Sequence, residues 1–450
     1  MASTYLSFPS TGTNGNQKTW TLSLWFKRGN LGSVQTLFSA GDGHILEGFV
    51  RINASDRLEF KNDGQYGGEA SPTRVLRDTN AWYHLVWSVD STQASNDDRW
   101  KIYLNGELIP ASEYSSVAIT SNGDGNILTY SGTYASNLSV GRRERTNADY
   151  WDGQITHLHL IDGTQYSASD FGETDATTGI WKPKTAPSVT YGTNGLFLKF
   201  ENSGAFGTDS SGNSNNFTVN GTMTQTIDTP SNVFATMNPL TKGSYTTLSN
   251  GNLKLTNNST NNGNCWSTIY FPDSGKYYWE AKMTTVQPAN GFPILGVIFD
   301  STKSQGDMNG GDGGYFSASN DVYIQYSTTI NSPDGNITIT TPSSGDIIMF
   351  ALDMDNGKMY IGNNGTWYNS GDPTSGATGT GNVYSFTSPN NPPVFAVSSY
   401  DISVTEVNFG NGYFGTTAVA SAGTNASGNG IFEFDVPTSY TALSTKGLNL

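Results

Sequence analysis

Apolar and polar residues alternate along most of this chain in short runs, and two of those runs set the pattern for the rest. From Trp100 to Ile109 the sequence reads WKIYLNGELI. Ile102 and Leu104 alternate with Lys101 and Tyr103, an Asn105-Gly106 pair follows, and Leu108 and Ile109 resume. Period-two alternation predicts a strand with one buried face, and Asn-Gly supplies the positive φ angles of a tight hairpin turn. Lys358 to Trp367, KMYIGNNGTW, repeats the design: Met359, Tyr360 and Ile361 run into Gly362, Asn363, Asn364 and Gly365, and Trp367 opens the return strand. Each hairpin follows a strand with an acidic end, HLVWSVD (84–90) and DIIMFALDMD (346–355). A strand, an acidic corner and an Asn-Gly hairpin, occurring twice, predict two copies of one kind of β-sandwich.

The remaining segments agree. TWTLSLWFKRG (19–29) puts Trp20, Leu22, Leu24 and Phe26 on one face and Thr19, Thr21, Ser23, Trp25 and Lys27 on the other. VQTLFSAG (34–41), GFVRINAS (48–55), RLEFKND (57–63), SNLSVGRR (136–143) and WDGQITHLHLIDG (151–163) are each of strand length, with turn residues between them. In GKYYWEAKM (275–283), Tyr277, Trp279, Ala281 and Met283 share a face; ILGVIFD, DVYIQYS, PVFAVSSYD and VTEVNFGN follow. No window shows clean helical periodicity, and SASDF (167–171) is at most one helical turn capped by Ser167 or Ser169. The chain is predicted all-β.

Composition sharpens this. Among 450 residues only 14% are charged, 12% are aromatic and 52 are glycine. The aromatics give a Gly/Asn-rich chain enough apolar surface to fold, and the length allows two or three domains. A net charge of −15 argues against nucleic acid as the ligand, which needs clustered Lys and Arg. The one compact basic run, Arg142-Arg143-Glu144-Arg145, reads as a solvated strand end. Cys265 is the single cysteine, so no intrachain disulfide forms, and no apolar run approaches a membrane span. The N-terminus has neither the basic nor the apolar region of a signal peptide, so synthesis in a cytoplasm is expected.

The first 170 residues, through LSLWFKRG, LFSAG, WYHLVWSVD, KIYLNGELI and VGRR before WDGQITHLHLIDG, resemble the laminin-G-like, concanavalin A-type sandwich. GLFLKF followed by TDSSGN comes after the closing strand rather than at the domain's start. Leu196–Phe200 and Phe217–Val219 are therefore expected to complete the first sandwich in permuted order. From 245 to about 415, Tyr-Tyr-Trp-Glu, Ile-Leu-Gly-Val, Gly-Asp-Ile-Ile and Pro-Val-Phe-Ala resemble the SPRY domain, itself concanavalin A-like. The resulting expectation is two tandem concanavalin A-like antiparallel sandwiches of jelly-roll type. They comprise a laminin-G-like domain at 1–227, a linker at 228–244, a SPRY-like domain at 245–414, and a tail at 415–450 that adds an edge strand or docks on a neighbouring subunit. The whole series, with FGETDATTGIWKPK, TDSSGNSNNFTVNGT, IDTPSNVFATMNPL, NFGNGYFGTT and FEFDVP, also resembles a type of protein found in marine tailed bacteriophages.

Candidate chemistry is sparse. Glucanases of this fold carry Glu-x-Asp-x-Glu or Glu-x-Asp-x-x-Glu on one strand; here Glu433 and Asp435 lack the second Glu, so an ordinary strand is the better reading. His157 and His159 form an i, i+2 pair without a third ligand nearby and are expected to face solvent. Asp209, Asn213 and Asn215 offer carboxylate and amide oxygens in a tight loop suited to calcium, an ion that laminin-G-like domains often hold; the same residues also make an Asx turn that needs no ion. Tyr66, Tyr150, Trp151, Trp367 and Tyr368 are candidate platforms for stacking on sugar rings, set against ordinary aromatic packing.

The phage resemblance implies a non-enzymatic virion structural protein on the particle surface, at a tail fibre, tail tip or head appendage, that binds host-surface glycans. It also implies other virion proteins as partners, homo-oligomerisation (trimers suit fibres and decorations alike), no nucleic acid and no membrane insertion. Alternatives are a capsid decoration protein whose main contacts are with the shell, a glycan depolymerase, and a bacterial cell-surface adhesin. The chain contains no coiled-coil, collagen-like or β-helical shaft pattern, which places it at a tip, on an adaptor or on the capsid.

Overall fold

The computed structural model describes residues 4–43, 46–63, 68–114, 120–132, 135–287, 291–299, 316–317, 319–387 and 392–449. Two compact units run from Met1 to Gln225 and from Thr226 to Leu450. Each is a pair of antiparallel sheets packed face to face, and the fold is all-β as predicted.

The first unit contains β1 (Tyr5–Phe8), β2 (Thr19–Arg28), β3 (Gln35–Gly41), β4 (Glu47–Ile52), β5 (Leu58–Asn62), β6 (Gly68–Ala70), β7 (Trp82–Asp90) and β8 (Trp100–Leu104). It continues with β9 (Glu107–Leu108), β10 (Asn137–Val140), β11 (Gly153–Asp162), β12 (Gly172–Thr174), β13 (Trp181–Pro183), β14 (Leu196–Leu198) and β15 (Thr218–Asn220). One sheet has the order β15-β1-β10-β3-β4-β5-β6 and the other β14-β11-β2-β7-β8-β9. Thus β14 and β15 each complete a sheet from the C-terminal side, β14 against β11 and β15 against β1. Asn105 and Gly106 have φ of +51° and +87° and close the two-residue β8–β9 hairpin.

Between the sheets lies the core that alternation selects: Leu6, Trp20, Leu22, Leu24, Phe26, Phe38, Val50, Phe60, Leu85, Trp87, Ile102 and Leu158. Trp87 meets Trp20 edge-on at 4.7 Å and Phe60 at 5.2 Å. Each such ring stabilises the unit by about 1.5–3 kcal/mol through burial. The other face of β2 is buried as well. Ser23, Trp25 and Lys27 are all buried, and a strap formed by residues 164–191 packs its Phe171, Trp181 and Tyr191 on this sheet with Val86 and Ile161.

The second unit contains β16 (Thr246–Ser249), β17 (Lys254–Asn257), β18 (Gly263–Trp266), β19 (Lys276–Thr285), β20 (Gly291–Ile298), β21 (Val322–Ile324), β22 (Thr329–Asn331), β23 (Ile337–Thr338) and β24 (Ile347–Asp353). Then come β25 (Lys358–Asn363), β26 (Thr366–Trp367), β27 (Tyr384–Ser385), β28 (Val394–Asp401), β29 (Ser403–Asn408), β30 (Tyr413–Phe414), β31 (Thr417–Ala418) and β32 (Thr441–Ala442). The larger sheet follows β16-β17-β29-β19-β24-β25-β26, with β27 on β25 and β32 parallel to β19; the smaller follows β18-β28-β20-β21-β22-β23. Asn364 and Gly365 close the second hairpin with φ of +46° and +85°. The core centres on Trp279, stacked on Phe350 at 5.1 Å.

One expectation about segments changes. Residues 228–244, read as a linker, bury Phe234, Ala235 and Met237 within the second unit, and Ala235 N donates to Leu443 O at 2.9 Å. The Pro and Asn signals there belong to turns flanking an apolar segment. The tail adds the two-residue β32 to the larger sheet, parallel to β19. It lies on the outer face of the larger sheet, where Phe432, Val436, Tyr440 and Ala442 pack with Tyr278, Met349, Ala351 and Tyr360.

Candidate functional site

The residues singled out by sequence scatter over both units. Tyr66 lies outside the described residues. Trp151 turns inward, its ring edge-on to Phe26 at 5.7 Å, while Tyr150 stays half-buried beside Tyr5 at 6.1 Å. Trp367 packs against Tyr278 and Tyr360, and Tyr368 donates its hydroxyl to Thr340 O at 3.4 Å while resting on the second core. Of these aromatics, Tyr150 stands beside a polar sheet face and Trp151, Trp367 and Tyr368 serve packing.

The Asp209 loop is an Asx turn. Oδ1 accepts N–H bonds from Phe197 and Ser211 at 2.8 Å each; Oδ2 accepts the Ser211 hydroxyl at 2.8 Å and Asn215 N at 2.9 Å. The Asn213 amide donates to Gly192 O at 2.6 Å, and Asn215 donates to Gly195 O at 2.9 Å. Donors thus already occupy both Asp209 oxygens, and the Asn213 and Asn215 amides bond backbone carbonyls of the same turn, so the loop holds together without a cation. Among the described residues no group of three His, Cys, Asp or Glu side chains converges as metal ligands.

His84 and His159 are core groups and His157 is half-buried, contrary to the solvent-facing reading of the 157–159 pair. A β-bulge between Thr156 and His159, with His157 at φ +48°, breaks the i, i+2 relation. His159 stacks on Phe197 at 3.9 Å and meets the Tyr191 hydroxyl at 2.9 Å. His84 sits under the strap with Nε2 2.9 Å from Ser23 Oγ and Nδ1 accepting the Trp181 indole N–H at 3.0 Å. An indole can only donate, so the proton of neutral His84 is on Nε2 and points at Ser23. That tautomer cannot take a proton from the serine. Burial lowers the His84 pKa to about 3, with the field of His157 adding to it, which keeps the ring neutral. This Ser-His pair is structural.

The built polar site is one the sequence reading missed. On the outer face of the seven-stranded sheet, Phe49 pairs across from Lys61 and Arg51 from Glu59. Glu47, 2% exposed, accepts two bonds from Arg143, Nε at 2.9 Å and Nη2 at 2.6 Å. Arg145 and Lys61 each approach it to 3.5 Å. Arg51 Nε donates to Glu59 at 2.7 Å, and Asp149 lies 3.8 Å from both Arg51 and Arg143. Their guanidinium groups cover the Phe49 ring at 4.6 and 5.4 Å. At the margin, Arg142 stacks 3.8 Å over Tyr5, next to Tyr150. Burial alone would raise the Glu47 pKa; the Arg143 hydrogen bonds and the charges of Arg143, Lys61 and Arg145 outweigh it and leave the carboxyl below its ordinary value.

The basic run is thus half-buried in an ion-pair network on the sheet. All nine arginines lie in the first unit, and four of them, Arg51, Arg142, Arg143 and Arg145, are on or beside this face. That concentration was the available signal. The arrangement presents fixed N–H donors and carboxylate acceptors at close spacing, chemistry suited to hydroxyl-rich ligands.

A family described as the concanavalin A-like lectin/glucanases superfamily matches residues 1–170. No curated protein matches the chain. Among solved structures, the SPRY domain of human HERC1 is 17% identical, covering 38% of this chain and 96% of that one at a TM-score of 0.28. Domains LG4-5 of the mouse laminin alpha1 chain are 11% identical, covering 90% and 85% at 0.29. A Bacteroides ovatus protein described as carbohydrate binding is 16% identical, covering 49% and 58% at 0.29. The protein is therefore an all-β chain of sandwiches whose first 170 residues are similar to the concanavalin A-like lectins and glucanases.

Proposed function

We propose that this protein is a non-enzymatic, glycan-binding structural protein displayed on the surface of a bacteriophage virion, at a tail fibre, tail tip or head appendage. The observation that carries the binding reading is the guanidinium–carboxylate face around Glu47, Arg51 and Arg143, set on a lectin-like sandwich. Rigid side chains bonded to one another lose little freedom when a saccharide's hydroxyl groups join the network. Weak contacts of this kind gain strength when many copies act together, as on a particle.

The non-enzymatic reading is supported by how the carboxylates are used. Glu47 is ion-paired, Glu433 accepts Ala420 N at 2.9 Å, and Asp435 accepts Thr424 N at 2.7 Å. A glycosidase needs one such group protonated and another free beside it. The virion setting rests on the sequence resemblance. It is tested by immunogold labelling or cryo-EM of intact particles: label at the tail supports attachment, label over the head makes this a shell decoration, and no label contradicts the proposal. Reducing-end release from host polysaccharide would overturn the non-enzymatic part.

A further inference from the structure

The charges on the sheet face around Phe49 are matched within the face itself. The Glu47 carboxylate is shared by Arg143, Arg145 and Lys61. Lys61 also lies 3.2 Å from Asp63 and 3.5 Å from Glu69, and Arg142 pairs with Glu144. Arg51 takes Glu59 and shares Asp149 with Arg143. These pairs join five cations to six carboxylates, so the network carries one negative charge in excess. Arg57, exposed on the turn before β5, stands outside it and forms no ion pair among the described residues. Counting Arg57 brings the face to balance, six against six, and not to a positive patch.

Hydrogen-bonding capacity is not used up in the same way. A guanidinium has five N–H donors, and Arg51 uses one of them, at Nε, on Glu59. The Nη1 atoms of Arg51 and Arg143 each lie 3.8 Å from Asp149 Oδ2, too far for a hydrogen bond. The three side chains are 22, 20 and 26% exposed, so a ligand can reach them. A hydroxyl oxygen seated beside either 3.8 Å line comes within about 3 Å of both ends. There it accepts from a guanidinium and donates its own proton to the carboxylate. A carboxylate or sulfate ester has no proton to give Asp149, and it meets guanidinium charge that is already matched.

We propose that this face selects uncharged saccharides over acidic ones, with Arg51, Asp149 and Arg143 holding a sugar hydroxyl. The inference rests on the glycan-binding reading and names the class of glycan. Hydroxyl groups both donate and accept, which a charge-balanced array of fixed donors and acceptors satisfies. A uronic acid or sulfate group adds an anion beside Asp149 and Glu59, and like charges brought together count against the wrong partner. The net charge of −15 on the chain acts in the same direction.

The test is binding of the full chain to matched oligosaccharides, each with and without a uronic acid or sulfate group, at low and at physiological salt. The neutral member should bind about tenfold more tightly than its acidic counterpart, with little dependence of its own affinity on salt. Glu59→Gln and Asp149→Asn each leave guanidinium charge less fully matched, so each should narrow that preference several-fold; either one carries the test if the other does not fold. Arg57→Ala should leave the preference as it is. Acidic members bound as tightly as neutral ones, a preference that neither carboxylate variant narrows, or acidic binding that depends on Arg57 would overturn the selectivity and leave glycan binding standing. Binding of neither kind would overturn the glycan-binding reading, and the selectivity with it.

Discussion

Both units cover the outer face of one sheet with a strap, and they hold it by opposite means. In the first, Trp181 donates its indole N–H to His84, and its ring sits 3.1 Å from the position a Cβ would occupy on Gly106. Everything at that contact is neutral. In the second, the buried Glu280 side chain accepts the strap's backbone N–H groups. A sheet with two buried faces can satisfy its polar groups either way. The second way buries an acid. The third arrangement, on the seven-stranded sheet, pairs the charges of its outer face with one another instead.

The largest expected effect is on the first strap. Trp181→Ala should destabilise the first unit by about 3 kcal/mol, through the lost ring and the orphaned His84 nitrogen. Urea unfolding followed by exchange in β7 would show it, with β19 unaffected. If both units lost stability equally, the straps would not be independent devices. Residues 1–175 alone, which lack β14 and β15, should likewise fail to reach the stability of the intact unit.

Next in size are opposite pH responses. His84 has its pKa lowered from 6.5 to about 3 by burial, so its contribution is present above pH 6.5 and is lost as pH falls towards 3. Glu280 is raised from 4.5 to about 7, so its contribution is present below pH 4.5 and is lost as pH rises through 7. Between pH 5 and 6.5 the first unit should gain, and the second lose, on the order of 1 kcal/mol per pH unit. Slopes of the same sign in the two units would break the comparison.

The smallest effect concerns the Asp209 turn. Its oxygens are filled by the chain's own donors, so EDTA should leave the melting temperature unchanged, while Asp209→Ala should cost about 1–2 kcal/mol from lost turn bonds. A melting temperature that drops with EDTA would restore a cation to this loop.

The sequence made some of this visible for simple reasons. Asn-Gly at 105–106 and 364–365 is local chemistry, and both pairs close hairpins at positive φ. The alternation in β2 and β19 picked out their core faces, since period two sorts a strand's side chains into two sets. It says nothing about what covers the second set. Ser23 and Glu280 fall outside the apolar sets of β2 and β19, and alternation gives no sign that straps from distant parts of the chain bury them. The charged face was hidden for the same reason: Arg143 and Glu47 are 96 residues apart, and their pairing follows from strand order rather than spacing. Aromatic identity misled most, because a Trp on a platform and a Trp in a core look alike in sequence.

The most direct measurement is a glycan array probed with the full chain, repeated with Arg51→Ala and Tyr150→Ala at the open face and Trp367→Phe in the second unit. Binding of hydroxyl-rich glycans, lost in the first two variants and kept in the third, is the predicted result. Absence of any glycan binding, or binding that survives both open-face variants, would contradict a carbohydrate-binding role for this sheet.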